Sequence, residues 1–170
     1  MTPPRVVLVG PMGVGKSMVG RILAERWGAG FRDTDDDIEA TDGRAISDIF
    51  VESGEEQFRA LERAAVAVAL AEHDGVLAVG GGAVTAESSR AAMAGHRVVY
   101  LKVGLTDAAA RVGLGASRPL LLGNVRGTMK GLLEERSPVY ESVSVAVVDT
   151  DGRTPEEVAD EVLAALGSDV

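Results

Sequence analysis

The stretch GPMGVGKS, residues 10–17, decides how the rest of the chain is read. It follows a short apolar run, RVVLVG (5–10), and leads into MVGRILAERWG, whose apolar spacing is helical. Gly10, Gly15, Lys16 and Ser17 satisfy G-x-x-x-x-G-K-[ST] in the strand–loop–helix setting that the pattern requires. The glycines let successive backbone N–H groups turn inward toward phosphate oxygens, and the helix N-terminus adds partial positive charge. Lys16 reaches the outer phosphates. The Ser17 hydroxyl offers an oxygen to Mg²⁺, a hard cation. The loop thus names a phosphate donor and leaves the acceptor open.

Working outward, further β-branched runs punctuate the chain: AGFRDTD (29–35), GVLAVGGG (75–82), RVVYLKV (97–103) and VSVAVVDT (143–150). Several are nearly unbroken apolar runs, the mark of parallel strands buried on both faces. Helical segments lie between them. SGEEQFRALERAAVAVALAEH (53–73) is the longest, with Ser53 and Glu56 at capping-box spacing. TAESSRAAMAGH (85–96) and TDAAARVG (106–113) are shorter. TPEEVADEVLAALG (154–167) carries Thr154 as cap, Pro155 at the first position, Glu157 completing a box and Gly167 as stop. This alternation predicts one α/β domain over 1–170, a sheet between two helical layers with right-handed crossovers. GLGASRPLLLGNVRGTMKG (113–131) fits neither strand nor helix and reads as a lid.

Composition narrows the function. The net charge of −9 opposes a general nucleic-acid partner and an anionic membrane surface. An anionic small molecule then needs a few local arginines working against the global field. There is no cysteine, hence neither a disulfide framework nor a thiolate metal site. No signal peptide and no apolar run of membrane-spanning length is apparent, so the expectation is a cytoplasmic protein.

Acceptor-side candidates follow from position. Asp33 and Asp35 end the second strand at i and i+2, so both carboxylates are expected on one face, over the crevice at the strand ends. Gly80, Gly81 and Gly82 end the third strand and let a ligand approach the backbone. Arg59 lies on the long helix. Arg118 lies in the lid. Arg136, in ERSPVY, precedes a proline expected to end its helix. Taken singly, each arginine reads as surface. His73 and His96 also read as surface, Trp27 as a packing residue, and Tyr140 as packing with support of Arg136 as the alternative.

Taken together, GPMGVGKS, DTD, FRALE, GGGAV, RPLL and ERSPVY, in that order, make the chain resemble shikimate kinase, a small P-loop kinase of the nucleoside-monophosphate-kinase-like type. The resemblance implies a five-stranded parallel sheet in the order 2-3-1-4-5 with helices on both faces and a mobile lid, about 113–126. It implies a shikimate-binding helical segment, about 36–63. The implied reaction moves the γ-phosphoryl group of ATP, with Mg²⁺, to the 3-hydroxyl of shikimate, within aromatic amino-acid biosynthesis. Gly13, Val14, Gly15, Lys16, Ser17 and Met18 would hold the nucleotide, with Arg111 and Pro155 beside the adenine. Ser17 would bind the metal, and Asp33 would act on it through water. Asp35 would hold the shikimate hydroxyls, Arg59 and Arg136 its carboxylate, and Gly80 to Gly82 would contact it through backbone. Arg118 would close onto the phosphates. Lys16, Asp33, Asp35 and Arg118 form the implied catalytic set, in a protein expected to be monomeric. Met18 stands where the family often has Thr, and the lid interior LGNVRGTMKG, with Arg126 and Lys130, departs from the family pattern. The alternatives are a gluconate kinase of the same fold or a nucleotide-binding domain without an acceptor site.

Overall fold

A computed structural model describes residues 3–104, 107 and 125–167. Five parallel strands form one sheet: β1 (Val6–Val9), β2 (Phe31–Asp33), β3 (Val76–Ala78), β4 (Val98–Lys102) and β5 (Ala146–Asp149). Their spatial order is β2-β3-β1-β4-β5, as the resemblance implied. Val6 pairs with Val76 on one side of β1, and Val7 with Val98 on the other.

The helices are α1 (Lys16–Trp27), α2 (Thr34–Asp42), α3 (Ile46–Glu72), α4 (Glu87–Met93), α5 (Val125–Val143) and α6 (Pro155–Leu166). They cover both faces, and β1 shows why its sequence is unbroken Val and Leu. Val6 and Leu8 join Leu23, Val158 and Val162 in one core, against α1 and α6. Val7 and Val9 join Leu77, Tyr100 and Tyr140 in the other, against α3 and α5. A third, smaller cluster of Ile38, Ile46, Ile49 and Phe58 packs α2 against α3 and builds one wall of the cleft.

Some helix ends form as their residues dictate. Thr154 and Glu157 exchange both capping bonds at the start of α6, and Gly167 stops it. Others do not. Helical structure begins earlier than expected, at Ile46, and Gly54, whose φ of 85° is not helical, divides α3 so that its second part starts just past Ser53. The Ser53 hydroxyl accepts from Arg44 at 3.0 Å rather than serving Glu56. Ile49 and Phe58 flank the bend, and their joint burial holds the extra turns in place.

Pro138 lies inside α5, which runs on to Val143 instead of ending there. A mid-helix proline costs about 3 kcal/mol. Burial of Tyr140 and partial burial of Val139 and Val143 beyond it offset that cost. His73 and His96 lie at the surface, half-buried. The His73 Nε2 lies 3.0 Å from the Val76 carbonyl and 3.2 Å from that of Gly30, bridging the end of α3 to the sheet.

Residues 113–124 of the expected lid, with Arg111 and Arg118, lie outside the described residues. So do residues 108–112 of the expected 106–113 helix and the Arg126 side chain. The lid's last residues, from Val125, are already helical. Lys130 sits on that helix, 3.9 Å from Glu134. Among the described residues, no helix is long and apolar enough to cross a membrane.

Candidate active site

The phosphate loop leaves the C-terminal end of β1, where neighbouring strands lie on either side and the sheet opens a crevice. Gly15 caps α1 in the left-handed region, at φ 96°, a conformation that an L side chain rarely adopts. Lys16 folds back over the loop and donates to the carbonyls of Gly10 (2.7 Å) and Pro11 (3.0 Å).

Asp33 and Asp35 both face this loop, for a reason other than the one expected. Only Asp33 belongs to β2. Asp35 lies in the first turn of α2, so the two are not alternate residues of one strand. Asp33 is the N-cap of α2, and its Oδ1 accepts the Asp35 N–H at 2.9 Å. Its other oxygen, Oδ2, accepts from the Ser17 hydroxyl at 3.1 Å. One carboxylate therefore starts a helix and also reaches the loop.

These groups open onto a cavity of ≈ 240 Å³ lined by Lys16, Ser17, Asp33, Asp35, Arg59 and Arg136, with Phe50 and Phe58 along its apolar side. Gly81 and Gly82 complete its floor, whereas Gly80 does not line it. The Gly80 N–H donates instead to the buried Thr34 hydroxyl at 3.2 Å. The missing side chains matter through close approach. A Cβ on Gly82 would run into the Arg59 guanidinium, and one on Gly80 would lie 2.7 Å from Glu62 Oε2 and 2.8 Å from Asp35 Oδ1.

Glu62 is the site residue that sequence reasoning missed. It is 3% exposed and accepts from Arg59 at 2.8 Å. Its spacing, one turn beyond Arg59 on the same helix face, was the available signal. Glu62 also adds a buried negative charge to a pocket expected to be simply positive. Burial pushes the Glu62 carboxyl up from its ordinary range. The Arg59 guanidinium pulls it back, Asp35 pushes it up and Arg136 pulls it down.

A second cavity, of ≈ 430 Å³, lies on the other side of the loop. Val14, Met18, Thr150, Arg153 and Pro155 line it. Gly13, Gly15 and Met18 border both cavities, so the loop is the wall between them. Met18 is 61% exposed there.

The shikimate kinase family model matches residues 12–167. The chain belongs to the shikimate kinase family. A shikimate kinase from Streptomyces avermitilis is 60% identical over 98% of this chain and 97% of its own. The structure of a shikimate kinase from Acinetobacter baumannii in complex with shikimate superposes with a TM-score of 0.92 at 34% identity, over 98% of this chain and 93% of that one. A gluconokinase from Sinorhizobium meliloti has a TM-score of 0.60 at 24% identity, over 96% of this chain and 91% of that one, a likeness of fold alone. In this chain the phosphate loop, Asp33, Asp35, Arg59 and Arg136 line one crevice.

The donor set suits ATP and Mg²⁺. Ser17 and Asp33 present hard oxygens 3.1 Å apart, and the loop presents backbone N–H groups to phosphate. Among the described residues no three His, Asp or Glu side chains group to hold a metal alone. Mg²⁺ keeps several waters and shares phosphate oxygens, so it is bound through one or two protein oxygens.

Proposed function

We propose that this cavity is where the chain, as a shikimate kinase, transfers the γ-phosphoryl group of ATP to the 3-hydroxyl of shikimate. The observation that carries the reading is the joint placement of Lys16, Asp35, Arg59 and Arg136 around one small cavity. A planar guanidinium pairs with a carboxylate through two parallel N–H···O bonds, so Arg59 and Arg136 grip the acid end of the acceptor. Gly81 and Gly82 meet it through backbone. Asp35 hydrogen-bonds the acceptor hydroxyls and orients the attacking one. Phosphoryl transfer passes through a loose transition state that asks little of a base, so orientation is the larger part of its work.

On the donor side, Lys16 leaves the Gly10 and Pro11 carbonyls for the outer phosphates. Ser17 would hold Mg²⁺, with Asp33 beside it to act on the ion through water. Mg²⁺ supplies neutralisation of the phosphate charge. Val14, Met18 and Pro155 border the nucleotide's other end. Arg111 and Arg118, outside the described residues, complete the nucleotide site and the closing lid on the strength of the sequence. The α2–α3 segment from about 36 to 63 carries much of the acceptor site. The net charge of −9 and the absence of cysteine support a cytoplasmic enzyme with no nucleic-acid partner. We take it to act as a monomer.

The test is direct. The protein is mixed with ATP and Mg²⁺ and offered shikimate, gluconate and nucleoside monophosphates in turn, and ADP release is measured. Release above the water-only background is expected with shikimate alone. Equal release with all acceptors, or none, would refute the reading.

A further inference from the structure

Tyr140 is fully buried, and its ring packs on Tyr100 with centroids 5.0 Å apart. A phenol in such a place usually finds a partner for its hydroxyl. Here the hydroxyl donates to the Gly81 carbonyl at 2.5 Å, across 59 residues of chain. Arg136 lies four residues earlier on α5, on the same helix face, and is 7% exposed. Its guanidinium meets the same hydroxyl.

The peptide joining Gly81 to Gly82 is planar and trans, so its carbonyl and its N–H point in opposite directions. Holding the Gly81 carbonyl toward Tyr140 turns the Gly82 N–H away from it, and Gly82 lines the cavity. Among the described residues, that N–H has no protein acceptor. Thr34 does the matching work on the preceding residue by accepting the Gly80 N–H. Two buried hydroxyls thus bracket a glycine segment that has no side chains of its own to lock it.

We propose that Tyr140 is a positioning residue for the acceptor grip, a single buried hydroxyl that fixes the Gly81–Gly82 peptide and steadies Arg136. The proposal rests on the reading that this peptide and Arg136 hold the acceptor carboxylate. Burial lifts the phenol to about 12, so it stays a donor throughout the working pH range. The same residue ties the helix that follows the lid segment to the end of β3.

Tyr140→Phe keeps the ring against Tyr100 and removes only the hydroxyl. We expect its KM for shikimate to rise about tenfold, the size of effect one buried hydrogen bond supports, while KM for ATP stays within about twofold. Tyr100→Phe is the control, because the Tyr100 hydroxyl goes to Ser137 at 3.3 Å, not to the glycine segment. It should lower the melting temperature and leave the shikimate KM unchanged.

An acceptor with a carboxamide in place of the carboxylate supplies a second readout. The ratio of its KM to that of shikimate should shrink in Tyr140→Phe, since the grip it fails to engage is already loosened. An unchanged shikimate KM in Tyr140→Phe, beside a raised one in Arg136→Lys, overturns the proposal and leaves the carboxylate grip intact. An unchanged KM in both variants overturns the grip itself.

Discussion

Arg59 and Glu62, one helical turn apart, form an ion pair of 2.8 Å in which the carboxylate is almost wholly buried. The pair fixes Arg59 as one arm of the proposed acceptor grip, because Arg59 also donates to Glu55 from the solvent side, at 3.3 Å and 3.4 Å. Neither acid is interchangeable with the other. Glu55 is a surface partner of little energetic weight, while Glu62 carries a desolvation cost that Arg59 only partly offsets.

That cost gives stability a pH dependence of known sign. The folded chain keeps the Glu62 proton at a pH where the unfolded chain has released it, because burial raises this carboxyl. Its contribution to stability therefore falls as pH rises from the ordinary glutamate value, about 4.3, through the raised one. Glu62→Gln should remove that slope. Melting curves of both proteins taken from acid to neutral pH test it, and parallel curves through this window would contradict it.

Arg136→Lys should raise the KM for shikimate strongly and change that for ATP little, because an ammonium cannot make the paired hydrogen bonds of a guanidinium. Steady-state kinetics with each substrate varied in turn measures the split. A parallel loss for both substrates would make Arg136 a structural or donor-side residue.

Two glycine substitutions should separate site from scaffold. In Gly82→Ala the new methyl displaces the Arg59 guanidinium, the far end of a flexible side chain. The fold survives, and the shikimate KM should rise about tenfold or more as one charge-assisted hydrogen bond is lost. A Cβ on Gly20 would strike the Phe31 ring within the core. Gly20→Ala should cost about 1–3 kcal/mol by overpacking, with the KM values of the folded fraction unchanged. Thermal melts and kinetics on both variants decide between these patterns.

Asp33 has two jobs that its variants should divide. Asp33→Asn keeps an oxygen for the Asp35 N–H and loses the charge toward Ser17. Asp33→Ala loses both, and the missing cap costs about 1 kcal/mol. We expect the Mg²⁺ concentration for half-maximal rate to rise in both, and stability to fall clearly only in the alanine variant. An unchanged Mg²⁺ requirement in both would remove Asp33 from the metal's surroundings.

The residues that sequence reasoning placed well are those whose role is written locally. Gly10, Gly15, Lys16 and Ser17 act within one loop, and Thr154, Pro155 and Glu157 within one helix turn, so spacing alone reveals them. Asp33 and Asp35 were placed together through a strand geometry that the chain does not adopt, since α2 begins right after Asp33. The turns of α3 before Gly54 and the continuation of α5 past Pro138 are not legible locally, because core contacts of Ile49 and Tyr140 override the local signals there. Thr34 and Tyr140 act on backbone brought from elsewhere, which no spacing announces, while Glu62 stands at helical spacing from Arg59 and only packing decides its burial.

By itself, then, the sequence determined a parallel sheet with a phosphate loop at its centre, because apolar runs and capping residues act over a few neighbours. The convergence of Arg59, Asp35 and Arg136 on one cavity belongs to the tertiary structure, because the three come from separate helices and meet only as those helices pack. The tertiary structure also decided which glycine N–H groups face the cavity. Backbone direction there is set by hydroxyls of Thr34 and Tyr140, 46 and 59 residues away along the chain.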